Sequence, residues 1–309
     1  MRRLQVIEKI GSIRAAPTLR TPAAESRATR DPRRPKPKKP IETIGGATGL
    51  ALTIAIAAGV AHAQRGATTP RAPAAPTASA YSGPRTPDRK PDLNGIWQVL
   101  GTAHWNVEAH SASEGVPAGF SVVEGGTIPY QPWALARRNE NFQNRLMADP
   151  LRKCYMPGVP RATYLPFPFE ITQTPNHIGI AYEFAHATRT IFLDGTPHLE
   201  DLDFWMGDAR GKWEGETLVV DTVSLGDKTW FDEAGNFHSD ALKVVERFTP
   251  MDAGHINYEA TIDDAKVFTR PWKLSLIIYR RLEKNVELLD YECAEHLYEK
   301  LFKSRGGKP

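Results

Sequence analysis

The chain has 309 residues, 41% of them hydrophobic, with 39 basic against 36 acidic side chains and only two cysteines. That is enough chain for a large core, and it excludes both a disulfide-dense mini-protein and a highly charged disordered chain. There is no basic stripe and no interleaving of aromatics with Lys or Arg, so nucleic acid is not an expected partner.

Met1 to Pro40 is rich in Arg, Lys, Pro and Ala and carries no apolar period. A short apolar run over 44–60 follows, then Ala61-His62-Ala63-Gln64. A basic region, a short apolar core and an A-x-A sequence make a secretory signal over 1–63, with Gln64 as the mature N-terminus. The core is too short for a typical membrane span, so no stable membrane insertion is expected once the signal is removed. An uncleaved anchor is the alternative. The basic stretch Arg33 to Lys39 lies far from Met1, which fits a long n-region or a start assigned too far upstream. Removing the 12 basic and 4 acidic residues of the leader leaves 27 and 32, a formal charge of −5 in place of +3. The expected location is the periplasm or the exterior.

Residues 64–90 read as a disordered Pro/Ala-rich linker, and 91–309 as one β-rich domain. Its first strand is Gly95–Val99, with Trp97 pointing inward. Thr102 to Thr127 reads as a long loop. Pro132 to Met147 has helical composition, with Trp133, Ala136, Glu140 and Asn144 along one face and Pro132 in the first turn. The proline-rich stretch Asp149 to Arg161 reads as a rigid crossing, since its prolines remove donors and fix φ. Strands are then expected at Phe169–Thr174, His177–Phe184 and Thr188–Leu193. A hairpin turning at Glu214-Gly215-Glu216 follows, with Thr217–Val223 as its second arm. Further strands are expected at 242–248, 255–262, 272–279 and 286–293, and a short helix at Ala294–Phe302. The fold class is therefore mostly β: an antiparallel meander of nine or ten strands, barrel-like or strongly curled, with one or two short helices.

Cys154 and Cys293 lie near opposite ends of this domain. In an oxidising compartment two such cysteines are most simply a disulfide, and they lack the C-x-x-C spacing of a zinc site.

Polar residues that alternate with apolar ones on a strand face are the informative positions, because burying them unpaired costs free energy. Glu246 shares a face with Leu242, Val244 and Phe248. Tyr258 shares one with Ile256, Ala260 and Ile262, and Tyr182 one with Ile178 and Ile180. Asp221 runs with Val219 and Val223 on a strand apolar on both sides, so its direction is ambiguous. An acid, a histidine and phenols aimed at one cavity could move a proton. His238, with Asp232 to orient its ring and Glu246 on the next strand, is the candidate acid–base group. The bland readings are a histidine bonded to backbone and a Glu246 ion pair with Arg189 or Arg247. Trp230 and Phe231, between charged residues, are candidates for a pocket mouth with Tyr182, Arg189, Asp221 and Tyr258 as ligand contacts. His177, His186 and His198 could converge with Asp203, but no H-x-H or H-E-x-x-H spacing supports a metal, and no cofactor is expected. Ser239 lacks the G-x-S-x-G turn of a hydrolase.

Five segments carry a resemblance: Cys154-Tyr-Met-Pro-Gly-Val-Pro-Arg161, Tyr182 to His186, Gly211 to Thr222, His238 to Arg247, and Thr261 to Asp264. Over about Pro91 to Glu295 the chain resembles a large family of secreted bacterial proteins. That resemblance implies export and no particular activity. The Gly-x-Trp of the first strand is similar to the opening of lipocalin barrels, an analogy of fold alone. The expected function is an exported barrel that binds a small, partly apolar ligand. The alternatives are an acid–base enzyme (lyase, isomerase or hydrolase) using the same pocket and a structural envelope protein.

Overall fold

The computed structural model describes residues 81–291 and 293. The expected signal sequence, most of the expected linker and the expected helix Ala294–Phe302 lie outside the described residues.

Nine strands among the described residues close into a barrel in sequence order. They are β1 (Gly95–Val99), β2 (Phe169–Gln173), β3 (His177–Tyr182), β4 (Thr188–Phe192), β5 (Asp208–Glu214), β6 (Thr217–Val223), β7 (Lys243–Pro250), β8 (His255–Asp263) and β9 (Trp272–Arg280). Most strands alternate, and their buried sets face inward: Trp97 and Val99, Phe169 and Ile171, Ile178 and Ile180, then Val244, Phe248, Ile256, Ala260, Leu274 and Ile278 on the later strands. These side chains fill the barrel as a packed core, so it is not the open cup that a ligand-enclosing barrel implies. Trp97 is buried, donates its indole N–H to the Leu93 carbonyl at 2.8 Å and lies under the Arg280 guanidinium at 4.1 Å.

The meander expectation needs one correction. A closed ring with an odd number of strands cannot alternate direction throughout. The odd pair here is β4 with β5, which run parallel through Ile191↔Ala209 and Phe192↔Arg210, while β1 and β9 meet antiparallel. The segment 193–207 therefore travels the length of the barrel before β5 begins. The expected strand at 286–293 does not form; that stretch is irregular as far as it is described. It runs as a strap: Leu289 donates its N–H to Glu183 Oε2, Tyr291 packs on Phe167 and Phe184, and Cys293 is bonded to Cys154 with their Cα atoms 5.3 Å apart.

The two ends of the barrel differ. At one end β2–β3, β5–β6 and β7–β8 are joined by short turns; the hairpin turn at Gly215, with φ +63°, is among them. At the other lie the connections 100–168, 183–187, 224–242 and 264–271. The first of these holds α1 (Pro132–Ala148), a 3₁₀ turn at Pro150–Lys153 and α2 (Arg161–Tyr164), all four of whose residues are buried. The inward face of α1 is Ala134 and Asn141 with Arg138 beside them, not the face through Trp133 and Glu140. Asn141 donates to the Gly235 carbonyl and Arg138 to the Asn236 side chain, so polar bonds to a neighbouring loop set the rotation of this helix. The packed chain also begins earlier than Pro91: Tyr81 is buried, its N–H donates to Glu216, and Arg85 pairs with the same carboxylate. No helix among the described residues is long and apolar enough to cross a membrane.

Candidate functional site

Glu246 is fully buried on the inward face of β7, and the partner that makes this tolerable is Arg189 from β4. Arg189 Nη1 donates to Glu246 Oε1 at 3.0 Å; Nη2 donates to Oε2 and to Thr222 Oγ1 at 2.8 Å. Tyr258 donates its hydroxyl to Oε1 at 2.9 Å. Of the two partners open from the sequence, Arg189 is the one; Arg247 points outward to Glu214 at 3.0 Å. The barrel wall thus carries a neutral ion pair, bidentate and closed by a phenol and a hydroxyl, which is the form in which buried charge persists.

Tyr182 stands one position along from this pair on β3, its ring 5.5 Å from Phe169. Burial holds its phenol above the usual range, with the nearby Arg189 and Thr163 working the other way, so it is a hydroxyl donor. The Thr163 and Arg189 side chains are the hydrogen-bond neighbours of that phenol. Tyr182 Oη, Thr163 Oγ1 and Arg189 Nε are all buried and have one another as polar neighbours. Thr163 belongs to α2, so the three atoms converge where α2 closes the elaborated end of the barrel.

Above them lies a second polar layer. Arg161, at the start of α2, forms a bidentate pair with Asp149, both contacts 2.8 Å and both side chains 1% exposed. His104, from the β1–β2 connection, is pushed down to about 4 by burial and then by Arg161, so its ring is neutral. Burial raises Asp232 to about 6 even though it accepts hydrogen bonds from Val107 N, Asn236 N and Asn236 Nδ2.

Asp232 does not orient His238. Its oxygens are committed to Val107 and Asn236, and the His238 ring is held by Ser239 and Thr229 instead. Nδ1 lies 2.9 Å from the Ser239 carbonyl, which can only accept, so Nδ1 carries the proton and Nε2 accepts from Thr229 Oγ1 at 2.7 Å. Burial lowers the His238 pKa and keeps the ring neutral. Gly158, with φ +68°, passes so close that a Cβ there would stand 2.7 Å from Thr229 Oγ1. The Pro157-Gly158 segment and the His238 segment therefore meet at one threonine.

Other expected ligand contacts lie elsewhere. Asp221 is exposed on the outer face of β6, because the inward positions are Leu218, Val220 and Thr222. It meets His198 Nε2 at 3.2 Å, and His198 Nδ1 meets Asp208 at 3.0 Å. Phe231 is core, edge-on to Trp272 at 5.5 Å, and Trp230 is half-buried in a bridge to Phe237. Neither forms a mouth. His177 bonds Thr174 and His186 faces Asp290, apart from His198. Among the described residues no group of three or more His, Cys, Asp or Glu could hold a metal ion. Surface grooves beside Leu100 and Arg281, and beside His110 and Phe120, involve none of the expected residues.

Comparison with protein-family models and with curated proteins found no match to this chain.

Thr163, Arg161, Asp149 and Thr229 escaped the sequence reading. Arg161 ends the C-x-x-P-G-x-P-R segment and was legible as part of a motif. Thr163 lies two residues beyond it, in a helix too short to show a period.

Proposed function

We propose that this is an exported barrel protein that binds a small, partly apolar ligand at its elaborated end. The observation that carries the reading is the closed nine-stranded barrel whose long connections gather at one end. Export is supported by the signal-like leader, by the resemblance to secreted bacterial proteins and by the Cys154–Cys293 bridge.

Native mass spectrometry of protein purified from its own host is the test. The expected result is a bound small-molecule mass that denaturation releases, with occupancy reduced in Tyr182→Phe and Thr163→Val. Only the bare protein mass would overturn the reading.

A second reading, acid–base catalysis, is favoured by one contact. Thr229 donates to a neutral His238 whose other nitrogen is fixed by a carbonyl, the arrangement of a hydroxyl and its base. Loss of turnover in His238→Gln with folding intact would support it. Unchanged turnover in that variant would confine the pair to structure.

A further inference from the structure

We propose that the outer surface along β1 and β9 is an interface between two copies of this chain, related by a two-fold axis.

Three surface grooves run into one another there. The first is lined by Gln98, Tyr279 and Glu283, and the second, beside Val99 to Ala103, shares Leu100 and Tyr279 with it. The third lies between His110 and Phe120. It adjoins the second because Gly119 passes so close to Thr102 that a Cβ there would stand 2.1 Å from Thr102 Oγ1. Along this band stand Phe120, Leu282 and Leu100, 95%, 79% and 68% exposed, and no large apolar side chain among the described residues is more exposed than these. A single exposed apolar residue needs no explanation, but several on one continuous surface mark a place where something docks. About twenty residues line the three grooves, the size of one side of a standard interface, which takes about 20–30.

Charge decides what covers the band. The charged side chains that line it are Arg280, Arg281 and Glu283. Arg280 lies over the ring of Trp97 and donates to the carbonyls of Asp92, Asn94 and Ala253. Arg281 donates to Glu283 at 2.8 Å and to Gln98 at 2.6 Å. Neither cation is left for an anionic lipid headgroup, and the acid is already matched. A surface balanced within itself can meet its own copy without setting like charges against each other.

Shape points the same way. The grooves follow one another in a row, and the two outer ones differ. The one beside Arg281 is a hollow of about 720 Å³, whereas the one beside His110 carries the projecting Phe120. A two-fold axis through the middle groove lays each end of the band on the opposite end of the second copy. Phe120 of each copy then enters the hollow beside Leu282 of the other, and the middle groove, with Val122 and Ile277, faces its own counterpart. Knob and hollow on one face are what a self-complementary interface requires.

Sedimentation equilibrium of protein purified from its own host, from nanomolar to high micromolar concentration, is the test. The expected result is a reversible dimer with a Kd of about 1 μM or tighter. Phe120→Ser and Leu282→Ser, both at exposed side chains, should each weaken it at least about tenfold with the thermal midpoint kept. Chains carrying Phe120→Cys mixed with chains carrying Leu282→Cys should be joined by a short bis-maleimide more readily than either variant alone. A monomer at every concentration overturns the proposal; flotation of that monomer with phosphatidylglycerol vesicles, lost in Phe120→Ser, would give the band to a lipid surface instead. A dimer that both serine variants leave unchanged lies on another face and overturns it too. Cross-linking no greater in the mixture than in the single variants overturns the two-fold pairing.

Discussion

At the scale of single residues the consequences concern buried charge. Glu246→Gln leaves Arg189 charged and unmatched inside the barrel wall, so a loss of about 3–5 kcal/mol in urea unfolding is expected. Replacing both partners, as Arg189→Met with Glu246→Leu, should recover much of that. It should still fall short by about 1–3 kcal/mol, because Tyr258 and Thr222 then lose their acceptor and donor. A single variant as stable as the parent would mean that the pair is not buried.

His104 and Asp232 make a second residue-scale prediction, with opposite signs. The His104 ring titrates at about 4 in the folded chain against 6.5 ordinarily, so its contribution is present above pH 6.5 and lost as pH falls through 4. Asp232 is raised from 3.8 to about 6, so the folded chain holds that proton more tightly. Its contribution is present below pH 3.8 and lost as pH rises through 6. Each is worth on the order of 3 kcal/mol, and between pH 4 and 6 they offset one another. Stability measured by urea unfolding from pH 4 to 7 should therefore rise more steeply with pH in Asp232→Asn, and less steeply in His104→Phe. A constant cost of either substitution does not alter the slope. Parental slopes in both variants would show that neither group titrates out of its ordinary range.

Among the elements, the parallel pair β4·β5 is the narrowest seam of the ring, with a register of only two residue pairs. Gly211 lies against it: a Cβ there would stand 2.7 Å from Ile191 Cγ2 and 2.7 Å from Leu193 Cδ2. Gly211→Val should overpack the seam and cost about 1–3 kcal/mol. Amide exchange should speed up in β4 and β5 before β7 and β8, and uniform exchange would show that the seam is no weaker than the rest. The antiparallel strands were legible because each is long enough for a period of two to show, as in Val244, Glu246 and Phe248 against Lys243, Val245 and Arg247. The parallel seam was not, because closure of an odd ring is a property of nine strands together. Asp221 was ambiguous for a local reason: Val219, next to it, is buried although it lies on the outer face, so alternation fails there. The rotation of α1 was unreadable for a similar reason, since Asn141 and Arg138 face inward for polar bonds while Phe142 and Leu146 stay exposed. Glu246 and Tyr258 were visible as polar breaks in apolar faces. Asp232 beside His238 was a guess from nearness in sequence, and the loop backbone sends the two side chains to different partners.

For the whole molecule, the strap that follows β9 is what joins the far end of the chain to the elaborated end of the barrel. It crosses to the β3–β4 turn through Leu289 and Tyr291 and ends in the bridge from Cys293 to Cys154. That bridge closes a loop of 139 residues, so on the chain-entropy model it restricts the unfolded chain by about 5 kcal/mol. Cys154 follows the 3₁₀ turn at Pro150–Lys153, which Asp149 caps by accepting from Leu151 N while also holding Arg161 of α2. The same clip therefore bears on the helix that carries Thr163. Cys154→Ala with Cys293→Ala should lower the free energy of unfolding in denaturant by several kcal/mol. Reduction of the parent should reproduce that loss, because both act on the same loop. Thiol titration of the denatured, unreduced protein should find no free thiol. Two free thiols, or a midpoint that reduction leaves unchanged, would remove the bridge from the account.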